Sequence, residues 1–163
     1  MKKKNLIISF FFMCVLVGSI VVYLRIDTPP PDIRAVSWNA TKAQIKANET
    51  AFLESETPGQ LIYQRIVFKS IPAALGYYFN QEALVSVKYV AINRYEQFQG
   101  CVREFLRVQE EVERQYGHPE LTTAEDFRKA IWTAAATQAV LQTIQTSDKN
   151  FIWILTFDKE DQT

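Results

Sequence analysis

One histidine, two cysteines and five glycines in 163 residues leave little material for most kinds of site chemistry. A tetrahedral metal centre draws several ligands from His and Cys, and His118 stands alone, in a Gly-His-Pro turn where it reads as a polar cap. No Gly-x-Ser-x-Gly elbow offers His118 a serine to activate, and no glycine-rich loop is available to cradle a phosphate. Glu110 and Glu111 are adjacent and Glu113 follows, so on one helix they do not converge as an acid–base pair. The composition therefore predicts no catalytic set, no cofactor and no metal. Charge of one sign is also missing. The whole chain balances 18 basic against 18 acidic residues. Setting aside Lys2, Lys3, Lys4 and Arg25 leaves 14 basic and 18 acidic, a net charge of −4 for residues 27–163. A mildly acidic body without a basic cluster argues against nucleic acid, whose binding rests on phosphate neutralisation. Cys101 is the one cysteine after residue 26, so that part has no internal disulfide, and Cys101 reads as small buried filler.

What the chain does have is a long apolar run near its start. Lys2, Lys3 and Lys4 precede an uncharged stretch from Asn5 to Leu24, closed by Arg25. About 20 apolar residues suffice to cross a hydrocarbon core of about 30 Å as a helix, and cations at one end hold that end in the cytoplasm. The expectation is a single-pass inner-membrane anchor, with the membrane engaged through residues 5–24 and the C-terminal part outside the cytoplasm. A cleaved signal peptide is the alternative, with Val17-Gly18-Ser19 near the cut and a periplasmic or secreted product. Acylation of Cys14 fits poorly, because Phe12 and Met13 precede it where small residues belong.

Pro29-Pro30-Pro31 then forms a stiff extended spacer, which divides the chain into residues 1–26 (leader), 27–35 (spacer) and 36–163 (exported domain). Thr41 is a good N-cap for a helix from about Lys42 to Phe52, and Asn39 before it suits a left-handed conformation. Thr57-Pro58-Gly59 forces a turn. Leu61 to Phe68, Ala73 to Phe79 and Leu84 to Ile92 read as strands of an antiparallel meander, with Asn80-Gln81-Glu82 as a hairpin turn. Tyr95 to Tyr116 is the clearest helix. Phe98, Val102, Phe105, Val112 and Tyr116 line its apolar stripe, Glu104 falls one step off it, and Gly117 and Pro119 close it. Residues 124–146 are ambiguous: Thr122 to Glu125 form a capping box and Ala134-Ala135-Ala136 favour helix, whereas Trp132, Thr137, Val140 and Ile144 favour strand. Phe151 to Phe157 is the strongest strand. It is apolar on both faces, so Phe151, Ile152, Trp153 and Ile154 are the candidate interaction surface, one face for the core and one for a cover. The two halves, each a helix, a proline loop and apolar runs ending in a strand, suggest a tandem repeat. Asn39-Ala40-Thr41 and Asn48-Glu49-Thr50 fit the glycosylation sequon, which matters only in a eukaryotic source.

Four short pieces carry a resemblance: Trp38-Asn39-Ala40-Thr41, Tyr77-Tyr78-Phe79-Asn80 with Leu84, Tyr116-Gly117-His118-Pro119, and Trp132 with Thr137. In these the chain is similar to small exported bacterial domains, namely outer-membrane assembly lipoproteins of the BamE type and β-lactamase inhibitor protein-like modules. It departs from them in carrying Asn39 for their glycine and in lacking the lipoprotein cysteine. The resemblance implies a helix-plus-antiparallel-sheet binding module without catalysis, and it tips residues 129–146 toward strands. The fold class expected is α+β: an N-terminal transmembrane helix, then antiparallel strands packed against two helices as a tandem helix-then-meander repeat. The function expected is that of a non-catalytic, membrane-anchored envelope protein whose exported domain binds another protein. The alternative is a cleaved inhibitor or ligand-binding domain.

Overall fold

A computed structural model describes residues 36–134 and 136–160. Strands dominate them. A short helix α1 (Lys42–Asn48) leads into β1 (Phe52–Thr57), β2 (Gln60–Phe68), β3 (Ile71–Asn80) and β4 (Ala83–Ala91). A longer helix α2 (Phe98–Tyr116) leads into β5 (Glu120–Ala124), β6 (Phe127–Ala134), β7 (Thr137–Gln145) and β8 (Phe151–Lys159). All eight strands form one sheet in the order β1-β2-β3-β4-β8-β7-β6-β5, with every neighbouring pair antiparallel. Each half is thus a helix followed by a four-stranded meander. The halves join where β4 meets β8, from Ser86↔Asp158 to Val90↔Ile154.

This corrects the expected fold class. The described residues are mostly one continuous eight-stranded antiparallel sheet with two helices, so strand outweighs helix by more than the α+β expectation held. Among the described residues no helix is long and apolar enough to cross a membrane. The anchor and spacer expected in residues 1–35 lie outside the described residues.

Local chemistry explains the elements. Thr41 caps α1 through a full capping box with Gln44, which satisfies amides that have no partner inside the helix. The helix stops at Asn48, short of the expected Phe52. With seven residues it is too short to persist alone, and the chain from Phe52 gains more by pairing with β2. Asn39 is absent from the positive-φ residues, so the left-handed conformation expected there does not occur. Gln81 and Glu82 have φ of 47° and 69°, the double left-handed geometry that a two-residue hairpin requires. In α2, Gly117 sits at φ 79° and its N–H bonds the Glu113 carbonyl at 2.8 Å, ending the helix. Gly100 is also required. A Cβ there would lie 2.6 Å from the Tyr95 ring.

Both helices lie on one face of the sheet, and the core sits between. Buried side chains alternate along the strands: Ala73, Leu75, Tyr77 and Phe79 in β3, then Val87, Tyr89 and Ala91 in β4, as a sheet covered on one side demands. From α1 comes Ile45; from α2 come Cys101, Val102, Phe105, Val108 and Val112. The three tryptophans are each 2% exposed or less, and each indole N–H is satisfied. Trp38 donates to Thr137 Oγ1 at 3.0 Å, tying the start of the first half to β7 of the second. Trp132 donates to the Gly117 carbonyl at 2.8 Å, locking the end of α2 onto β6. Trp153 donates to Glu104 Oε2 at 3.0 Å.

Candidate interaction surface

The four residues singled out in β8 divide by strand alternation. Phe151 and Trp153 point toward the helices. The Phe151 ring meets that of Phe98 at 5.4 Å, and Trp153 is fully buried under α2. Neither belongs to a surface. Ile152 and Ile154 point the other way, where no described helix lies. Ile152 pairs with Ile144 and is 8% exposed, whereas Ile154 is half-buried.

Registers across the sheet show what surrounds them. One row crosses from Ile62 through Gly76, Lys88, Thr156 and Val140 to Ile131. The next runs Ala74, Val90, Ile154, Gln142 and Lys129. Apart from buried Gly76, all of these are half-buried. Val67 is 61% and Ile92 48% exposed at one end of this face, beside Pro72. The residues opposite the helices thus form an open platform of β-branched aliphatics crossed by a few polar groups. Lys88, on β4 in the middle of the first row, lies over the Tyr78 ring at 5.2 Å, so its ammonium rests against an aromatic face. At about 4.8 Å per strand the row from Ile62 to Ile131 spans about 24 Å.

His118 and the groups whose titration is shifted lie elsewhere. His118 has a 95% exposed side chain that contacts Glu113, at the foot of α2. Among the described residues no group of three or more His, Cys, Asp or Glu is placed to hold a metal. Cys101 is buried, and burial pushes its thiol up to about 12, with Glu104 adding to the shift. Tyr95 is likewise pushed up to about 12, first by burial and then by its hydrogen bond to Glu104. Glu104 also accepts from Asn93 Nδ2 at 2.8 Å. Its carboxylate thus gathers Asn93, Tyr95 and Trp153 beneath the start of α2, a structural role that its position off the apolar stripe did not reveal. Asp148 is held well below the usual carboxylate range, chiefly by its hydrogen bond with Thr146, then by Asn150 and Arg94. A cleft of about 350 Å³ opens beside α1, lined by Val36, Ser37, Asn39, Gln44 and Asn48 among others. Among the described residues no titratable side chain lines it.

No family model matches this chain, and no curated protein does either. Among solved structures the chain is similar to a DUF4309 family protein, YjgB, from Bacillus subtilis subsp. subtilis strain 168. The two share 12% identity over 74% of this chain and 79% of that one, with a TM-score of 0.41. These comparisons show no likeness to BamE-type lipoproteins or to the β-lactamase inhibitor protein.

Proposed function

We propose that this is a non-catalytic protein-binding domain, exported from the cytoplasm and presented at the envelope, which engages another envelope protein through the open face of its sheet. One observation carries the reading: the aliphatic rows around Ile154 and Val90 face away from both helices and stay half-open across six strands. Half-exposed β-branched residues on a continuous, unhelixed face form the kind of patch that marks an interaction site. The lysines at positions 2–4 and the apolar run from Asn5 to Leu24 support export. Whether the body stays membrane-attached or is released after cleavage, it is the same face that binds.

The test is Ile154→Asp in the full-length chain. A half-buried position on an open face accommodates a charge, so the variant keeps its fold by circular dichroism and loses its partner. Ile152→Asp, at an 8% exposed position, places the carboxylate where desolvation is costly and lowers stability. Unfolding by Ile154→Asp, or undiminished partner capture by a folded variant, contradicts the proposal.

A further inference from the structure

The two edges of the sheet are built differently. The free edge of β1 is guarded. It carries a bulge between Leu53 and Ser55, Lys42 Nζ donates to the carbonyls of Thr57 (3.0 Å) and Pro58, and Lys46 pairs with Glu56 at 2.7 Å. Bulges and charges are the devices that stop an edge strand from recruiting another chain. β5 has only a single charge, Glu120 at its first residue, and no bulge. Its register with β6 runs unbroken from Glu120↔Ile131 to Ala124↔Phe127, it contains neither proline nor lysine, all five residues are exposed, and Leu121 is 60% exposed.

Its free backbone groups can be located. The Arg128 N–H donates to Thr143 Oγ1 on β7 at 2.8 Å, so Arg128 turns its polar groups away from β5. In an antiparallel pair, residues that turn away stand opposite each other. Thr123, the partner of Arg128, therefore aims its N–H and C=O at the open edge, and alternation makes Leu121 do the same.

We propose that β5 is a self-pairing edge: two copies of this chain join β5 to β5, antiparallel, about a twofold axis through Thr122, fusing their sheets into one. In this register Leu121 of one copy and Thr123 of the other exchange their free N–H and C=O groups. Thr122 meets Thr122, a favourable cross-strand pair. Glu120 faces Ala124, so no like charges stand opposed, and at each end His118 faces Asp126. Other centres fit worse. An axis through Glu120 opposes two glutamates and brings Pro119, which has no N–H, beside the centre of the pairing, whereas in the Thr122 register Pro119 falls outside β5 at the end of the pairing, opposite Glu125. An axis through Ala124 leaves mostly turn residues to pair. Leu121 meets its counterpart diagonally on the helix side, within reach of long side chains, so the dimer covers the most exposed apolar residue of this edge.

The test uses the full-length chain carrying Cys14→Ser, in detergent micelles; native Cys101 is buried and takes no part. Across the proposed axis the two Thr122 Cα atoms are about 4.5 Å apart, inside the span a disulfide bridges. Thr122→Cys should oxidise to a covalent dimer at least about tenfold faster than Ser55→Cys on the guarded edge. Thr123→Pro removes an N–H that β6 does not use. It should keep the unfolding midpoint and abolish the dimer seen by sedimentation velocity. Equal oxidation at the two edges, a monomer at every attainable concentration, or a Thr123→Pro protein that dimerises like the parent would each overturn self-pairing. A purified monomer that instead captures a foreign strand along β5 would overturn it as well.

Discussion

Replacing Glu104 by alanine strips the acceptor from a fully buried indole. Trp153 is 0% exposed and donates to Glu104 Oε2 at 3.0 Å, so Glu104→Ala leaves a desolvated donor, at about 1–3 kcal/mol. The more exposed Asn93 bond to Oε1 adds about 0.5 kcal/mol, and loss of the bond to Tyr95 contributes in the same direction. The expected total is about 2–3 kcal/mol, against the negligible cost that a position off the apolar stripe would suggest. For a domain of this size that lowers the thermal midpoint by about 6–15 °C. Glu104→Gln retains an oxygen for Trp153 and should cost less than about 1 kcal/mol. Glu110→Ala, on a side chain 70% exposed, should cost less than about 0.5 kcal/mol. Urea denaturation followed by tryptophan fluorescence reads all three, because Trp153 itself changes environment. If Glu104→Ala and Glu104→Gln are equally mild, Glu104 is a solvated charge and the network beneath α2 does not exist.

Three further outcomes follow from the core and its titratable groups. Phe105, 1% exposed in the α2 stripe, should cost about 3–5 kcal/mol on truncation to alanine, read from the same denaturation curves. Tyr63 is 2% exposed and its hydroxyl lacks a hydrogen-bond partner among the described residues; Tyr63→Phe should therefore raise stability by about 1 kcal/mol, and a loss of that size would mean the hydroxyl is satisfied. The folded state holds the Tyr95 proton more tightly than the unfolded chain does, so the associated stability is intact below the ordinary tyrosine value of 10.0 and is lost as pH rises through about 12. Across that window Tyr95→Phe should show a shallower decline than the parent, and superimposable profiles would refute the assignment.

The second half of the chain shows where sequence reading succeeds and where it runs out. Phe151 to Phe157 carries enough β-branched and aromatic residues to read as a strand, and its two apolar faces were visible in the alternation. What alternation could not tell was which face met a helix. That is settled by Phe98 and Glu104, more than 45 residues away in the chain, contacting Phe151 and Trp153. Thr122 to Glu125 has the local signature of a helix start, yet Glu120–Ala124 pairs with β6 as an edge strand. Propensity lost there to the pairing of Leu121 with Ala130 and Thr123 with Arg128, as tertiary contacts commonly override it. Trp132 and Thr137 favoured strand locally and lie in strands, but their bonds to Gly117 and Trp38 join residues 15 and 99 positions apart and left no local mark. The surface was half legible: Ile152 and Ile154 were singled out, but Val90, Ala74, Val140 and Ile131 join them only through registers that no single strand encodes. Glu104 looked like an ordinary helix charge, since nothing local marks a carboxylate that will meet a distant indole.

Site-specific photocrosslinking in living cells tests the central claim most directly. A photoreactive residue at Ile154 samples the open sheet face, and one at Leu106, 44% exposed on α2, samples the helix side. The sheet face as binding surface predicts a discrete adduct with another protein from Ile154 and none from Leu106. Adducts from Leu106 alone, or the same adducts from both positions, would contradict it.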